Sequence, residues 1–271
     1  MLGKRLATAT ILIGLLLLSL FSPWNFFALF VVATLAVGAW EWASLANIQS
    51  QLGRFIYVGA VISVLVLIAL SQQLLVSVAF KIAILVFWFW IFLIPLLVRF
   101  PSTASLFRNT PFAIGISVMI LISAASGLLW LSIQDAGAWL VLLLIMIVTV
   151  ADSGAYFAGK TFGKTPLAPQ ISPGKTFEGL YGGLVANFLF AVVLCLFLDL
   201  NPEKSFGLVF IVLSTSLFSV AGDLLESAIK RSQGVKDSGK LLPGHGGVLD
   251  RIDGLCAAVP CFVFGILLAE I

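Results

Sequence analysis

The stretch S-A-I-K-R-S-Q-G-V-K-D-S-G-K-L-L-P-G-H-G-G-V-L-D-R-I-D, residues Ser227–Asp253, decides how the rest of this sequence is interpreted. It combines five glycines with a dense set of charged side chains and the single histidine of the chain. Apolar runs of membrane-spanning length flank it, Phe206–Leu225 and Val248–Ile271. Glycine lets backbone N–H groups approach an anion closely, so the stretch is more typical of a binding site than of a plain solvated loop.

The composition indicates an integral membrane protein. Charged residues make up 10% of the chain and hydrophobic residues 61%, and the mean hydropathy is +1.16. Soluble domains contain about 25% charged residues, and a soluble fold of this length could not hide so much apolar surface. The three cysteines lie in apolar runs without metal-ligand spacing, which predicts packing roles rather than a disulfide or a metal site.

The apolar runs predict an all-α fold, a polytopic integral membrane protein of about nine transmembrane helices. A span needs about 20 mostly apolar residues, and its backbone groups must be satisfied by helical hydrogen bonds. The first run resembles a signal peptide, but no convincing cleavage site follows it, so we expect an uncleaved helix. The predicted spans are Leu6–Phe21, Trp24–Ala46, Phe55–Leu70, Leu74–Val98, Pro111–Ser132, Gly137–Gly159, Phe177–Leu198, Phe206–Ile229 and Val248–Ile271.

The basic residues predict an orientation in the membrane. Thirteen of the fifteen lysines and arginines fall on one side, whereas Lys204 falls on the other and Lys81 lies within a span. The positive-inside rule then puts the N-terminus in the cytoplasm and the C-terminus outside. Three basic residues of the N-terminal half are assigned to orientation alone: Lys4, Arg54 and Arg108. The aromatic residues, including Trp88, Trp90 and Trp130, are expected at lipid-facing or interfacial positions.

Acids within the spans are functional candidates, because a charge in the bilayer is costly. With the predicted topology, five of them lie at one depth near the cytoplasmic side, and Glu41 of the second span reaches the same level. Residues three apart share a helix face, which pairs Asp223 with Glu226 and Asp250 with Asp253. The five acids are Asp152, Asp223, Glu226, Asp250 and Asp253.

Two interpretations of these acids remain open from the residues alone. Clustered carboxylates without a cluster of cysteine or histidine suit Mg²⁺ better than zinc. Alternatively, each acid pairs with a local base, for instance Asp250 or Asp253 with Arg251, or Asp223 with Lys230.

The connection before the seventh span is the second polar segment. It contains I-S-P-G-K-T-F-E-G, residues 171–179, in which Pro173-Gly174 predicts a turn and Lys175-Thr176 the start of a helix. A helix N-terminus with a lysine can hold phosphate. The spacing is not that of a Walker A loop, and a plain capped turn is an equally good interpretation.

Residues 227–253 follow the pattern S-x-x-K-R, four residues, K-D-x-G, two residues, L-P-x-H-G-G-V-x-D-R-I-D. This pattern resembles the signature of the phosphatidate cytidylyltransferases, or CDP-diacylglycerol synthases. The segments D-S-G-A-Y at 152–156 and S-P-G-K-T at 172–176 are similar to segments of the same family. The resemblance therefore extends from Asp152 to Asp253, whereas the first five spans carry no functional signal. We expect residues 1–136 to form a scaffold and residues 137–271 to carry the site within one membrane unit.

The resemblance implies transfer of the cytidylyl group of CTP to phosphatidate, with release of pyrophosphate. It implies Mg²⁺ held by Asp223 and Asp250, and leaves open a second cation such as K⁺ and a homodimer. The expected partners are CTP, phosphatidate and membrane lipid, without nucleic acid. We expect the protein in the cytoplasmic (inner) membrane with its site facing the cytoplasm, since CTP is cytosolic and phosphatidate lies in the bilayer.

The roles expected of individual residues follow the same resemblance. For His245, a catalytic base, a phosphate contact and a structural loop residue all remain open. The candidate catalytic residues are Asp223, Asp250, Asp253, Lys230, Arg231, Lys236, Asp237, His245 and Arg251. The candidate substrate-binding residues are Asp152, Lys160, Ser172, Gly174, Lys175, Gly246 and Gly247.

Three other functions are weaker candidates. A CDP-alcohol phosphotransferase would also be a membrane enzyme with aspartates and Mg²⁺, but its D-G-x-x-A-R pattern is not found in this sequence. A CTP-dependent lipid kinase uses similar substrates, and the intact H-G-G-x-x-D-R-x-D segment argues against it. An ion-coupled transporter should have paired repeats with broken helices near the midplane, which acids at a single interface fit poorly.

Overall fold

The computed structural model describes residues 2–269 except Pro243 and His245, with the backbone alone for residues 2–6, 72–74, 77–80, 83 and 87. These residues form ten helices and one two-stranded sheet. The helices are α1 (Leu2–Leu20), α2 (Trp24–Leu45), α3 (Gln51–Leu70), α4 (Gln72–Val98), α5 (Ala104–Arg108), α6 (Thr110–Ser132), α7 (Gly137–Phe162), α8 (Phe177–Phe197), α9 (Pro202–Ser232) and α10 (Leu249–Ala269). The strands are β1 (Pro166–Ala168) and β2 (Ser172–Thr176).

Each of the nine predicted spans falls on a helix, and the expectation of an all-α membrane protein is confirmed. Within the described part of the chain, seven helices are long and apolar enough to cross a membrane: α2, α3, α6, α7, α8, α9 and α10. The apolar segments found in α1 and α4 are shorter, Ala7–Leu20 and Ile84–Val98. The count of nine spans and their orientation stay predictions.

Polar side chains at the connections fix where several helices begin. The N-cap residue accepts a hydrogen bond from the backbone N–H three residues later, which satisfies a donor that the helix cannot. The acceptor–donor distances are 2.9–3.1 Å at four such starts. The N-cap residues are Ser50 of α3, Asn109 of α6, Thr176 of α8 and Asn201 of α9.

The helices differ in how far they are buried, and this sets the position of the site. Helices α2, α6 and α10 form the centre, since more than half of each apolar segment is buried, whereas α7 and α8 are buried by 22% and 17%. The expectation of lipid-facing tryptophans is right for Trp88, which is 64% exposed, and wrong for two others. Trp90 packs edge-on against Phe218, and Trp130 is also buried.

Small residues bring α8 close to α7, and α9 close to α10. On α8, Gly182 and Gly183 lie directly against α7, where an added Cβ would meet Ala158 and the carbonyl of Ala151. Between α9 and α10, a Cβ on Gly222 would lie 2.6 Å from the carbonyl oxygen of Asp253. Close backbone approach of this kind is typical of helix packing in membranes, and the contact at Gly222 brings the acids of α9 and α10 near one another.

The connection between α7 and α8 contains a short antiparallel hairpin that the sequence did not predict. Strands β1 and β2 pair with Ala168 opposite Ser172. The expected turn at Pro173-Gly174 is wrong, because these residues lie in β2 and the reversal occurs at 169–171. Lys175 is likewise in the strand, and α8 begins at Phe177 after the Thr176 N-cap.

Candidate active site

A charged cleft of about 320 Å³ lies where α7, α9, α10 and the loop 233–248 meet. It contains the four aspartates that the sequence expected at one depth, together with three cations and Asp237. Five carboxylates against three cations give the lining a formal charge of −2. The lining residues are Asp152, Asp223, Lys230, Lys236, Asp237, Asp250, Arg251 and Asp253.

Lys230 connects two acids of this site. Its Nζ lies 2.6 Å from Oδ1 of Asp250 and 3.3 Å from Oε2 of Glu226. Glu226 is one turn earlier on α9 and is 2% exposed, and its carboxyl group lies beside that of Asp253. Lys230 is therefore the cation that compensates the buried carboxylate of Glu226.

Asp250 also organises the loop that precedes α10. Its carboxylate accepts hydrogen bonds from the N–H of Ser238, at 3.0 and 3.2 Å, and from the N–H of Gly247, at 2.8 Å. The glycine-rich loop thus directs two of its N–H groups to an internal carboxylate. Gly246 permits this geometry, since its φ is +83° and a Cβ there would lie 2.7 Å from Oδ2 of Asp250.

Asp223 is paired with the hairpin. Its Oδ2 lies 2.6 Å from Nζ of Lys175 on β2, and its Oδ1 accepts a hydrogen bond of 3.3 Å from Ser227. The interpretation in which acids pair with bases is therefore confirmed for Asp223 and, through Lys230, for Asp250. Lys230, which the sequence assigned to Asp223, pairs with Asp250 and Glu226 instead.

A second cleft of about 350 Å³ adjoins the first and shares Asp152 and Asp223 with it. It lies between α7, α8 and the hairpin, and most of its lining is apolar or glycine. Lys160 enters it with its Nζ 5.6 Å from the centre of the Tyr156 ring. The remaining lining residues are Ala155, Gly159, Leu167, Gly174, Lys175, Thr176, Gly179, Leu180 and Val220.

Several candidate residues lie outside the described linings of both clefts. Arg231 donates from Nε to the carbonyl of Ile171, at 3.1 Å, and from Nη1 to that of Val235. It therefore braces the hairpin against the end of α9, and its phosphate-binding role stays a prediction. Ser172, Gly246 and Gly247 are also absent from the linings. His245 is outside the residues that the structure describes.

Two residues of the N-terminal half contact the helix ends that carry the site residues. The sequence analysis did not include either of them among the candidate site residues. Glu41 of α2 accepts hydrogen bonds from the N–H groups of Val248 and Leu249 at the start of α10. Arg108, which was assigned to orientation alone, donates from Nε to the carbonyl of Ser232 at 2.6 Å and so binds the end of α9. The signal available for Glu41 was its position as an acid in an apolar helix.

No ready-made metal centre is present in the described part of the chain, since no group of three or more acids, cysteines or histidines has the required arrangement. The donor chemistry is nevertheless that of a hard cation. Asp223 and Asp250 each hold an ammonium group at 2.6 Å, so each carboxylate stabilises a positive charge on the cleft side. Carboxylate oxygens of this kind are the ligands that Mg²⁺ takes in proteins.

The fold and the site define a polytopic membrane protein with a carboxylate- and lysine-lined centre at one end of its helices. The sequence model of the Cytidylyltransferase family matches residues 3–269, and the chain belongs to this family. A phosphatidate cytidylyltransferase of Pseudomonas aeruginosa is 39% identical over 266 residues, which cover 97% of this chain and 96% of that protein. One of Haemophilus influenzae is 36% identical, covering 97% and 98%. One of Bacillus subtilis is 43% identical over 133 residues, about half of either chain.

Proposed function

We propose that this protein transfers the cytidylyl group of CTP to phosphatidate, giving CDP-diacylglycerol and pyrophosphate for phospholipid synthesis. The proposal is supported by family membership and by near full-length similarity to proteins named phosphatidate cytidylyltransferase. The single observation that carries it is the pair of adjoining clefts, one fully charged and one mostly apolar, which share Asp152 and Asp223. A reaction between a water-soluble polyanion and a lipid phosphate needs two such environments in contact.

The chemistry requires positioning more than proton transfer. A phosphate oxygen of phosphatidate forms a bond to the α-phosphorus of CTP, and the bond from that phosphorus to the bridging oxygen of pyrophosphate breaks. The nucleophile is already an anion, so no strong base is needed. The work of the site is to bring two anions together and to stabilise the charge that develops, which is typical of phosphoryl transfer.

The two clefts suggest a division between the substrates. We assign the triphosphate to the charged cleft, where Lys236 and Arg251 contribute to the lining, and the lipid phosphate to the second cleft, near Lys160 and Lys175. The apolar lining of the second cleft suits the glycerol and the first carbons of the acyl chains. Asp152 and Asp223, common to both clefts, would then lie beside the reacting phosphates.

Mg²⁺ fits this arrangement, because a cleft with a formal charge of −2 cannot accept a triphosphate without added positive charge. Asp223 and Asp250 would hold the ion, and Asp152 and Asp253 would complete or orient its surroundings. When bound, the ion supplies charge neutralisation at the phosphate oxygens. Lys175 and Lys230, which now pair with Asp223 and Asp250, are the protein's own groups available to turn toward phosphate.

We further propose that the protein lies in the cytoplasmic membrane with both clefts open to the cytoplasm. The support is the concentration of basic residues in the connections next to the clefts, as the positive-inside rule requires. Membrane lipid would then surround the exposed apolar faces of α7 and α8. Association into a homodimer can be measured by mass determination of the purified protein in detergent.

The function is tested with purified protein, Mg²⁺, phosphatidate and CTP labelled in the α-phosphate. Cytidylyl transfer moves the label into CDP-diacylglycerol and releases pyrophosphate. A CTP-dependent lipid kinase would instead release labelled CDP and leave the lipid unlabelled. Release of CDP, or an absence of any lipid-dependent turnover, would contradict the proposal. The Asp223→Asn variant is the control for turnover that does not come from the site.

A further inference from the structure

Glu41 is a buried carboxylate far from the site in sequence but joined to it in space. It lies on α2, is 5% exposed, and accepts three hydrogen bonds. Oε1 accepts from the N–H of Val248 at 3.0 Å, and Oε2 from the N–H of Leu249 at 2.8 Å. The third donor is the hydroxyl of Ser238, 3.1 Å from Oε2. All three donors belong to the loop before α10 or to its first turn.

The surroundings of Glu41 indicate that its charge is stabilised by these donors. Among the described residues it forms no salt bridge, and burial of a carboxylate without compensation is costly. Its partners are N–H groups at a helix N-terminus, where the helix dipole also favours a negative charge. The carboxylate and the start of α10 therefore stabilise each other.

Two glycines leave room for this carboxylate. A Cβ built on Gly239 or on Gly247 would overlap the carboxylate of Glu41, and at Gly247 it would also meet the hydroxyl oxygen of Ser238. Any larger residue would have to move Glu41 or the loop. The glycines of this loop thus serve a specific internal contact as well as the turns of the chain.

Ser238 links Glu41 directly to the acids of the site. Its hydroxyl donates to Glu41, while its N–H donates to Asp250. Asp250 follows Leu249, whose N–H is held by Glu41, and it pairs with Lys230. A shift of Glu41 would therefore move the turn that carries Asp250 and the loop that faces it.

We propose that Glu41 is a positioning residue of the active site, which fixes the loop 233–248 and the first turn of α10 so that Asp250 and Lys230 hold their working geometry. Its role in turnover rests on the proposed function, whereas its role in holding the loop does not. Misplacement of a reacting group by about 1 Å can lower a rate by about 100-fold, so the effect should appear in kcat.

The test uses Glu41→Gln in the full-length purified protein. The amide keeps the shape but puts an NH₂ group against a backbone N–H or hydroxyl donor, so at least one of the three contacts is lost. We expect kcat to fall by about tenfold to 100-fold with KM for CTP changed by less than about threefold. We also expect trypsin to cleave faster after Lys236 and Lys240, which are exposed in the loop.

Tyr57→Phe is the matched control for general loosening of the N-terminal half. It removes a buried hydrogen bond of 2.6 Å between Tyr57 of α3 and Ser117 of α6, neither of which lines a cleft or contacts Glu41. It should leave kcat within about twofold and the cleavage rate unchanged. Equal losses in Tyr57→Phe and Glu41→Gln would overturn the proposal, since the effect would then be loss of packing.

A second variant keeps the proposal testable if Glu41→Gln does not fold. Ser238→Ala removes one donor and leaves both N–H contacts to Glu41, so kcat should fall by about threefold to tenfold with faster cleavage. Wild-type kcat and cleavage in Ser238→Ala, or in a folded Glu41→Gln, would overturn the proposal. The cleavage assay needs no substrate, so faster cleavage in a protein that transfers no cytidylyl group would refute the proposed function alone.

Discussion

Replacement of Lys230 by methionine should destabilise the protein as well as slow its reaction. Lys230 is largely buried on α9, and its Nζ lies between Asp250, at 2.6 Å, and Glu226, at 3.3 Å. Methionine has a similar length without the charge, so packing is largely kept. What is lost is the cation shared by two carboxylates.

Loss of Lys230 should destabilise the carboxylate of Glu226 more than that of Asp250. Asp250 retains the N–H groups of Ser238 and Gly247, which offset part of its loss. Glu226 lies beside the carboxyl group of Asp253, and without Lys230 this buried pair of acids would lose the cation that contacts it. Removal of one partner from a buried ion pair costs about 3–5 kcal/mol, and we expect a loss near the lower end of that range.

The measurement is the free energy of unfolding in detergent for three variants and the wild type. Lys240→Met is the matched control, because Lys240 is exposed on the loop that follows α9 and lines neither cleft. It should change stability by less than about 0.5 kcal/mol. The double variant Lys230→Met with Glu226→Gln should recover at least about half of the lost stability. Cytidylyl transfer should stay low in the double variant, because Lys230 is still absent from the charged cleft.

The reasoning would be refuted by a Lys230→Met protein as stable as the Lys240→Met control. A double variant no more stable than Lys230→Met would show that Glu226 does not depend on the lysine for its compensation. Recovery of activity in the double variant would show that Lys230 has a structural role only.

Three further predictions concern the site and the topology. Asp223→Asn should lower kcat by more than about 100-fold, or roughly 3 kcal/mol of transition-state stabilisation, in a folded protein assayed at saturating Mg²⁺; full activity would remove Asp223 from the site. Lys236→Ala should lower kcat/KM by about tenfold or more, whereas Lys240→Ala should change it by less than about twofold, and equal effects would mean that the loop acts only through its charge. An alkaline phosphatase fused to the C-terminus should be active and a cytosolic fluorescent reporter dark if the chain has nine spans; the reverse pattern would contradict the count.

Much of the architecture follows from hydrophobic runs and from the position of the charges. Backbone groups in a bilayer can be satisfied only by helices or closed barrels, so each long apolar run implies a helix, and a helix is found at every predicted span. The acids of α7, α9 and α10 could be expected together because each lies near the same end of its span. The charged cleft contains Asp152, Asp223, Asp250 and Asp253.

Which helices pack against one another could not be predicted from the sequence. A uniformly apolar helix gives little information about which of its faces is buried. Trp88 and Trp90 are two residues apart on α4, yet the first is exposed and the second is 1% exposed. The hairpin could not be predicted either, because its strands are only three and five residues long. It nevertheless brings Lys175 to Asp223, which sequence spacing could not indicate.

The two interpretations of the acids that the sequence left open need not exclude each other. In this structure Asp223 and Asp250 are neutralised by Lys175 and Lys230, so the carboxylates already occupy positions where positive charge is stabilised. A polyanionic substrate competes for the same lysines, and each lysine that turns toward phosphate leaves an aspartate in need of another cation. If the proposed requirement for Mg²⁺ holds, the same carboxylates would form salt bridges in the absence of substrate and hold the metal ion in its presence.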